Sequence, residues 1–246
     1  MGVVTLAARP VAGAYRAVPN LESDETFHIP PRIEHGCNRA LSITLTREQR
    51  TRDDALELVN RRYSWRGYGS NHKLAGRRNE TTFTANADGE LIGTITLVAD
   101  SDRGLAVDKT FPEEMQYFRR KPNARLCELK KFAIDCEDPS KPVLASLFHF
   151  VFIYGTRNFL GTDLLIEVNP RHIYFYERML GFERVGGLRE NPEVNAPSQL
   201  MWLSVGKIAE AIGNGSATNL RRTLYPYFFS RDLEAMIAGE LRLSHG

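Results

Sequence analysis

The sequence has no apolar run of the roughly 18–20 residues that a membrane-spanning helix needs. Its most apolar stretch, Val143 to Gly155, is shorter and carries His149. No transmembrane segment is expected, and only peripheral membrane contact stays open. An excess of charge of one sign is also missing: 32 Lys and Arg against 30 Asp and Glu leave a formal net charge of +2. That excludes a supercharged nucleic-acid binder, and no nucleic-acid partner is expected. Cysteine is scarce. Cys37, Cys127 and Cys136 form an odd set without metal-type spacing, so they read as free thiols in a reducing compartment and no metal site is expected. The apolar start of the chain is cut by Arg9-Pro10, too early for a signal-peptide core, and Leu6 stands where a myristoylation signal wants Ser or Thr. Together these absences make a cytoplasmic protein the expectation. Internal repeats and low-complexity tracts are lacking too. What is there, 42% hydrophobic and 25% charged residues over 246 positions, is a globular composition with room for one large domain.

The first forty residues hold Pro10, Pro19, Pro30 and Pro31 and little periodicity, so residues 1–41 read as an irregular arm. From Ser42 the pattern sharpens. Ser42–Leu45 is a strand candidate, and Thr46 is placed to N-cap a helix over Arg47–Arg62 whose apolar face is Ala55, Leu56, Leu58 and Val59. Thr81–Ala85 and Leu91–Val98 flank Asp88-Gly89, a tight hairpin signal. A short charged helix over Phe111–Lys121, a strand over Leu126–Asp135, a helix from Pro142 to Asn158 and a buried strand Asp163–Val168 follow. Pro170 opens a helix that Gly181 closes after Leu180. Phe182–Val185 and Gln199–Val205 complete the strands, and residues after Lys207 look helical, with a break at Asn214-Gly215. Strands interleaved with helices in this order predict an α/β fold, a mixed sheet covered by helices. The division is an arm over 1–41, a core over 42–205 and a helical extension over 206–246.

The segment Ile166-Glu-Val-Asn169-Pro170-Arg171-His172-Ile-Tyr174-Phe-Tyr176-Glu-Arg-Met-Leu-Gly181-Phe182 resembles the strand, helix and Gly-Phe signature of GNAT-superfamily acyltransferases. Its Asn-Pro-Arg-His and Phe-Tyr-Glu-Arg runs are similar to the FeeM-like branch, the long-chain N-acyl amino acid synthases. Glu128-Leu-Lys-Lys-Phe-Ala-Ile-Asp135 resembles the Glu-x-x-Arg-Phe-x-Val-Asp strand of acyl-homoserine-lactone synthases and their FeeM-like relatives, with Lys131 where Arg is frequent. Tyr63-Ser-Trp-Arg-Gly-Tyr68 is similar to the segment after the first helix in that branch. The resemblance spans roughly residues 42–205. It implies a GNAT fold whose fourth and fifth strands splay apart, and transfer of a long-chain fatty acyl group from a phosphopantetheine thioester to the α-amine of an amino acid.

Acetyl-CoA users of the superfamily carry a glycine-rich loop after the fourth strand, whose amides hold the CoA pyrophosphate. Here the stretch Cys136-Glu137-Asp138-Pro139-Ser140-Lys141-Pro142 has no glycine and two acids. Acyl carrier protein, whose arm has one phosphodiester, is therefore the expected donor over acyl-CoA. An acyl-CoA N-acyltransferase and a non-catalytic GNAT-like domain that binds an acyl chain or a partner are the rival readings.

Aminolysis of a thioester needs a neutral amine, a held electrophile, a stabilised oxyanion and protonation of the leaving sulfur. The resemblance places Phe132, Ala133 and Ile134 along the pantetheine and matches Tyr176 to the usual general acid, although a core aromatic would look the same. Glu128 is the carboxylate best suited to handle the amine; a structural salt bridge to Lys130, Lys131 or Arg125 is the alternative. Asn169, Arg171 and His172 are candidates for the pantetheine arm, Arg171 through its phosphodiester. Arg119-Arg120-Lys121 with Arg125, Lys130 and Lys131 is either a solvated face or a dock for the acidic carrier protein.

Overall fold

The computed structural model describes residues 23–31, 40–74, 76–135, 140–213 and 222–243. Its strands are β1 (Glu25–Ile29), β2 (Leu41–Thr46), β3 (Glu80–Ala87), β4 (Glu90–Ala99), β5 (Leu126–Ile134), β6 (Asp163–Val168), β7 (Glu183–Asn191) and β8 (Ala196–Ser204). The helices are α1 (Gln49–Ser64), α2 (Pro112–Arg119), α3 (Lys141–Asn158), α4 (Ile173–Leu180), α5 (Val205–Gly213) and α6 (Arg231–Leu243). The strands form one sheet in the order β1-β2-β3-β4-β5-β6-β8-β7. Only β5 and β6 run parallel; every other pairing is antiparallel.

Residue alternation sends the two faces of this sheet to different partners. On one face Ile43, Phe83, Ile95, Leu97, Leu129 and Ile166 meet α3 in the main core. On the other, Val98, Leu126 and Leu165 meet the 3-10 turn Ala106–Lys109 and α2, while Ala133 meets Leu58 and Val59 of α1. The helix α3 is buried almost all round, because the C-terminal segment covers its outer side. The His149 ring stacks on Phe228 at 4.5 Å and on Phe229 at 4.9 Å, and Phe229 N donates to His149 Nδ1 at 2.8 Å.

The β3–β4 hairpin turns through Asp88 (φ 52°) and Gly89 (φ 86°), both left-handed as a two-residue I′ turn requires. Gly181 (φ 78°) closes α4. Three features differ from expectation. The arm contributes an edge strand: Phe27 and Ile29 point inward while Thr26 pairs its hydroxyl with Thr44. A five-residue alternation bounded by Pro30 and Pro31 is too short to stand out beside four prolines. Thr46 does not cap α1; it ends β2 and donates to Thr82 O. The amides of Arg47 and Glu48 are taken instead by Asp24 Oδ1, at 2.6 and 2.9 Å, a carboxylate supplied from just before β1. Finally, β7 runs on past Val185, because a bulge at Gly186 (φ 65°) carries the strand on to pair with Ala196–Ser198. Residues 1–22 of the arm, Cys37, Cys136 with the rest of the glycine-free stretch to Pro139, and the Asn214-Gly215 break lie outside the described residues.

Candidate active site

The strands β5 and β6 pair from Leu126↔Asp163 to Leu129↔Ile166 and no further. Both continue, β5 to Ile134 and β6 to Val168, without facing partners. The cause is visible on the other edge of β5. There, Lys130 and Ala133 lie opposite Thr96 and Thr94, so β5 has one residue too many. The excess is taken up at Lys131, whose φ of 54° is rare for a residue with a side chain. A bulge of this kind bends its strand, and the bend swings β5 off β6. The fold expected from the resemblance, with its fourth and fifth strands splayed, is thus present; the added β1 makes them β5 and β6.

A cavity of about 450 Å³ occupies the splay. Glu128, Lys130 and Ala133 line it from β5, Glu167 from β6, Phe175 and Tyr176 from α4, Leu144 from α3, and Tyr63, Arg66, Tyr68 and His72 from the end of α1 and the chain after it. Glu128 is 3% exposed. Its Oε2 accepts from Ala106 N at 2.7 Å, and burial pushes the carboxyl up to about 7 against the opposing pull of Lys130 and the Ala106 and Val107 amides. The salt-bridge alternative is not what forms: Lys130 Nζ lies 3.4 Å from Glu80. Glu128 is therefore a carboxyl held by a backbone amide and poised between its two protonation states near neutrality.

Tyr176 is 6% exposed, its ring edge-on to Phe175 at 5.1 Å and to Phe182 at 5.8 Å. Burial, with Tyr63 adding, drives its hydroxyl above the ordinary phenol range. Tyr174, two residues away, is 64% exposed. Phe132 packs on Phe148 at 5.1 Å, and its carbonyl accepts from Tyr63 Oη at 3.5 Å. Phe132, Ala133 and Ile134 all line the open stretch of β5. The structure thus brings Glu128, Tyr176 and this stretch together in one cavity.

The other expected residues divide. Asn169 lines the cavity but spends its amide locally: Oδ1 accepts from Arg171 N and Nε at 3.2 and 3.1 Å, and Nδ2 donates to Pro197 O at 3.2 Å. It caps the 3-10 turn Pro170–His172. Arg171 is exposed, with its guanidinium 5.1 Å over the Tyr68 ring rather than in the cavity. His172 lines the cavity; burial, with Arg66 and Arg171 adding, pushes it down to about 4. The Arg119–Lys131 cations do not form one free basic face. Arg119 donates to Asp100 and Asp108, Lys121 sits 4.2 Å over Phe118 and 3.6 Å from Asp163, and Lys130 faces Glu80. Lys131 Nζ donates to Lys73 O and so ties the segment after α1 to the bulge. Cys127 is buried, its thiol pushed up to about 12 by that burial. Among the described residues no group of His, Cys, Asp or Glu is arranged to hold a metal, and no helix is long and apolar enough to cross a membrane.

The family model of the N-acyl amino acid synthase FeeM matches residues 54–204. The chain belongs to the FeeM family. It is an acyltransferase of the N-acyl amino acid synthase type. Among solved structures it is similar to FeeM from uncultured soil microbes, with 30% identity and a TM-score of 0.62 over 69% of this chain and 92% of that one. A probable acetyltransferase from Staphylococcus epidermidis ATCC 12228 aligns with 18% identity and a TM-score of 0.48, over 67% of this chain and 98% of that one. The AHL synthase LasI aligns with 14% identity and a TM-score of 0.47, over 62% and 84%. None of the curated proteins matches.

Two cavity groups of this FeeM-family chain escape a reading of the sequence. Glu167 accepts from Asn191 Nδ2 at 2.8 Å and Ser198 Oγ at 2.6 Å; its signal is an acid that follows the apolar run Leu164–Ile166 inside β6. The segment after α1 supplies three lining side chains, Arg66, Tyr68 and His72, and the signal of this region is charge. From Leu58 to Asn79 there are six Arg or Lys and no acid.

Proposed function

We propose that the enzyme transfers a long-chain fatty acyl group from acyl carrier protein to the α-amine of an amino acid. The observation that carries this reading is the splay itself, an open length of β5 with a buried carboxyl and a buried phenol on its cavity. A pantetheine arm lying along Phe132–Ile134 would place its thioester between Glu128 and Tyr176. The amine nitrogen attacks the thioester carbonyl carbon, forming C–N, and the C–S bond breaks. The proton lost by nitrogen goes to Glu128, directly or through water, which a carboxyl titrating near neutrality can accept. The departing sulfur receives a hydrogen bond from Tyr176. A thiol has a pKa of about 8.5, below that of a phenol raised by burial. The hydroxyl therefore stabilises the developing thiolate foremost as a donor, and full proton transfer is uphill.

Two features favour a carrier protein over CoA as donor. Residues 136–142 lack the glycines of a pyrophosphate loop. The acid-free segment 58–79 lines the cavity; Asp135 takes its Arg61 and Arg62, and Trp65, 78% exposed, with the exposed Arg77 and Arg78 leaves a surface suited to an acidic partner. Apolar Phe132, Leu144 and Phe175 on the cavity wall suit a fatty chain. This reading places the protein in the cytoplasm, where acyl carrier protein is found.

The test is a donor comparison on purified protein, with each common amino acid as acceptor and product detected by mass spectrometry. A kcat/KM much larger for the acyl-carrier-protein thioester than for acyl-CoA of equal chain length is expected, and raised salt should weaken the former selectively. Equal values for both donors would remove the carrier protein from the reading, and absence of any N-acyl amino acid would remove the acceptor.

A further inference from the structure

On the cavity wall built from α1, the chain after it and the Pro170–His172 turn, three polar atoms are buried without a hydrogen-bond partner: Arg62 Nε, Tyr68 Oη and His172 Nε2. Buried polar atoms are nearly always satisfied, so three on one cavity point to a missing ligand. All three residues line the cavity, and so does Arg66. Arg66 is near enough to act on both His172 and Tyr176, and among the described residues no carboxylate pairs with it. Aromatic contacts hold this wall rigid: Tyr63 meets Tyr68 at 5.9 Å and His72 at 4.9 Å, both edge-on. The sheet contributes the opposite polarity, Glu128 from β5 and Glu167 from β6. The other cations on the cavity are already engaged, Lys109 with Glu193, Lys130 with Glu80, Lys131 with the Lys73 carbonyl and Arg62 in part, its Nη1 3.7 Å from Asp135 Oδ1.

We propose that Arg66 and Arg62, with Tyr68 and His172, form a carboxylate-binding subsite that selects acceptors bearing a free carboxylate next to the amine. This rests on the reading of the cavity as the site of amino-acid acylation. A cavity with carboxyls on one wall and guanidiniums on the other matches an amino-acid zwitterion, its nitrogen toward Glu128 and its carboxylate toward Arg66. Planar guanidiniums bind carboxylates by paired N–H donors, and Tyr68 Oη and the Nε2–H tautomer of His172 supply neutral donors for the remaining lone pairs. The phosphodiester of the donor arm is the other anion at hand. It is kept from the sulfur by the length of the arm, whereas an α-carboxylate is one carbon from the attacking nitrogen. Because Arg66 is felt at Tyr176, beside the reacting sulfur, the carboxylate is the anion that fits.

The test pairs the best acceptor among the twenty common amino acids with its own primary carboxamide, using the full chain and one acyl donor. Wild type should favour the acid over the amide in kcat/KM by roughly 10- to 100-fold, because the amide leaves the half-buried Arg66 guanidinium without its charged partner. Arg66→Ala should raise KM for the acid roughly 10- to 100-fold without raising KM for the donor, and the preference over the amide should collapse. Arg66→Lys should recover part of it. Calorimetric titration without donor gives a readout independent of turnover: the acid should bind to wild type, and the amide should not. Acid bound and amide refused, with no acylation of either, would keep the subsite and end the acylation reading. Equal use of acid and amide by wild type, or an Arg66→Ala defect confined to donor KM, would overturn the subsite.

Discussion

The two edges of β5 are built from the same nine residues and do opposite work. Against β4 the strand is paired from Cys127 to Ile134, bulge included. That edge lies amid buried hydroxyls that close on each other, with Thr82 and Thr96 2.9 Å apart and Thr94 donating to Phe83 O at 3.0 Å. Against β6 the strand is paired only to Leu129, and the cavity that opens there keeps the raised carboxyl of Glu128 at its margin, a raised phenol and unpartnered polar atoms. The first edge is satisfied and contributes stability. The second is left unsatisfied, which lowers stability and leaves groups ready for a substrate. Changes at the paired edge should thus lower stability and leave rates alone, and changes at the open edge should lower rates without lowering stability.

The sharpest break in that comparison is Glu128→Gln. It keeps an oxygen for the Ala106 amide and loses the base. Proton transfer by a positioned group is worth roughly 10²–10⁴-fold, and we expect a fall of about 100-fold in kcat/KM at pH 8, with the acidic limb near pH 7 flattened. A wild-type rate in a pH–rate series would strike Glu128 from the mechanism. Next is Tyr176→Phe, which removes one oxygen from a well-packed ring. Its hydroxyl is a hydrogen-bond donor rather than a strong acid, so a loss of roughly 10-fold in kcat with KM little changed is expected. Tyr174→Phe, on the exposed side of α4, should match wild type in the same steady-state assay, and the reverse pattern would mean the motif was misregistered. A smaller effect comes from Arg77→Glu with Arg78→Glu on the acid-free segment. About a 5-fold loss of kcat/KM with a carrier-protein donor is expected at low salt, vanishing at high salt. Loss with acyl-CoA as well would point to misfolding instead. On the paired edge, Thr96→Val should cost about 1 kcal/mol by leaving the Thr82 hydroxyl one partner short, measured by urea unfolding, with kcat unchanged.

Much of this was legible in the residues because strong local signals agree with the fold. Asp88-Gly89, Pro170 and Gly181 each fix a backbone conformation by themselves, and the apolar run Leu164–Ile166 within Asp163–Val168 marks a buried strand. Glu128 and Tyr176 stood out through their motifs, and the structure brings both to one cavity. What was not legible depends on distant partners. Asp24 takes the Arg47 and Glu48 amides just ahead of α1 only because β1 docks beside them. The Arg119–Lys131 cations look like a basic patch in one dimension, whereas Asp100, Asp108, Asp163 and Glu80 neutralise much of it in three. The bulge at Lys131 that opens the splay has no composition signal, since a left-handed φ is signalled by Gly, Asn or Asp and not by a lysine.

The open edge trades stability for reactivity, and Glu128 tests this in one experiment. Its carboxyl is raised from 4.5 to about 7 in the folded protein. The folded state therefore holds a proton that the unfolded chain has lost between those values, and stability declines as pH rises through that window. At pH 8 the cost of the buried charge is on the order of 3 kcal/mol, and glutamine does not incur it. Unfolding free energy and kcat/KM should be measured together for wild type and Glu128→Gln from pH 5 to pH 9. The account predicts a variant that is slower than wild type above pH 7 and also more stable there, with the stability gain fading toward pH 5. A variant that keeps its rate and is less stable at every pH would contradict it, and would make Glu128 a structural carboxylate.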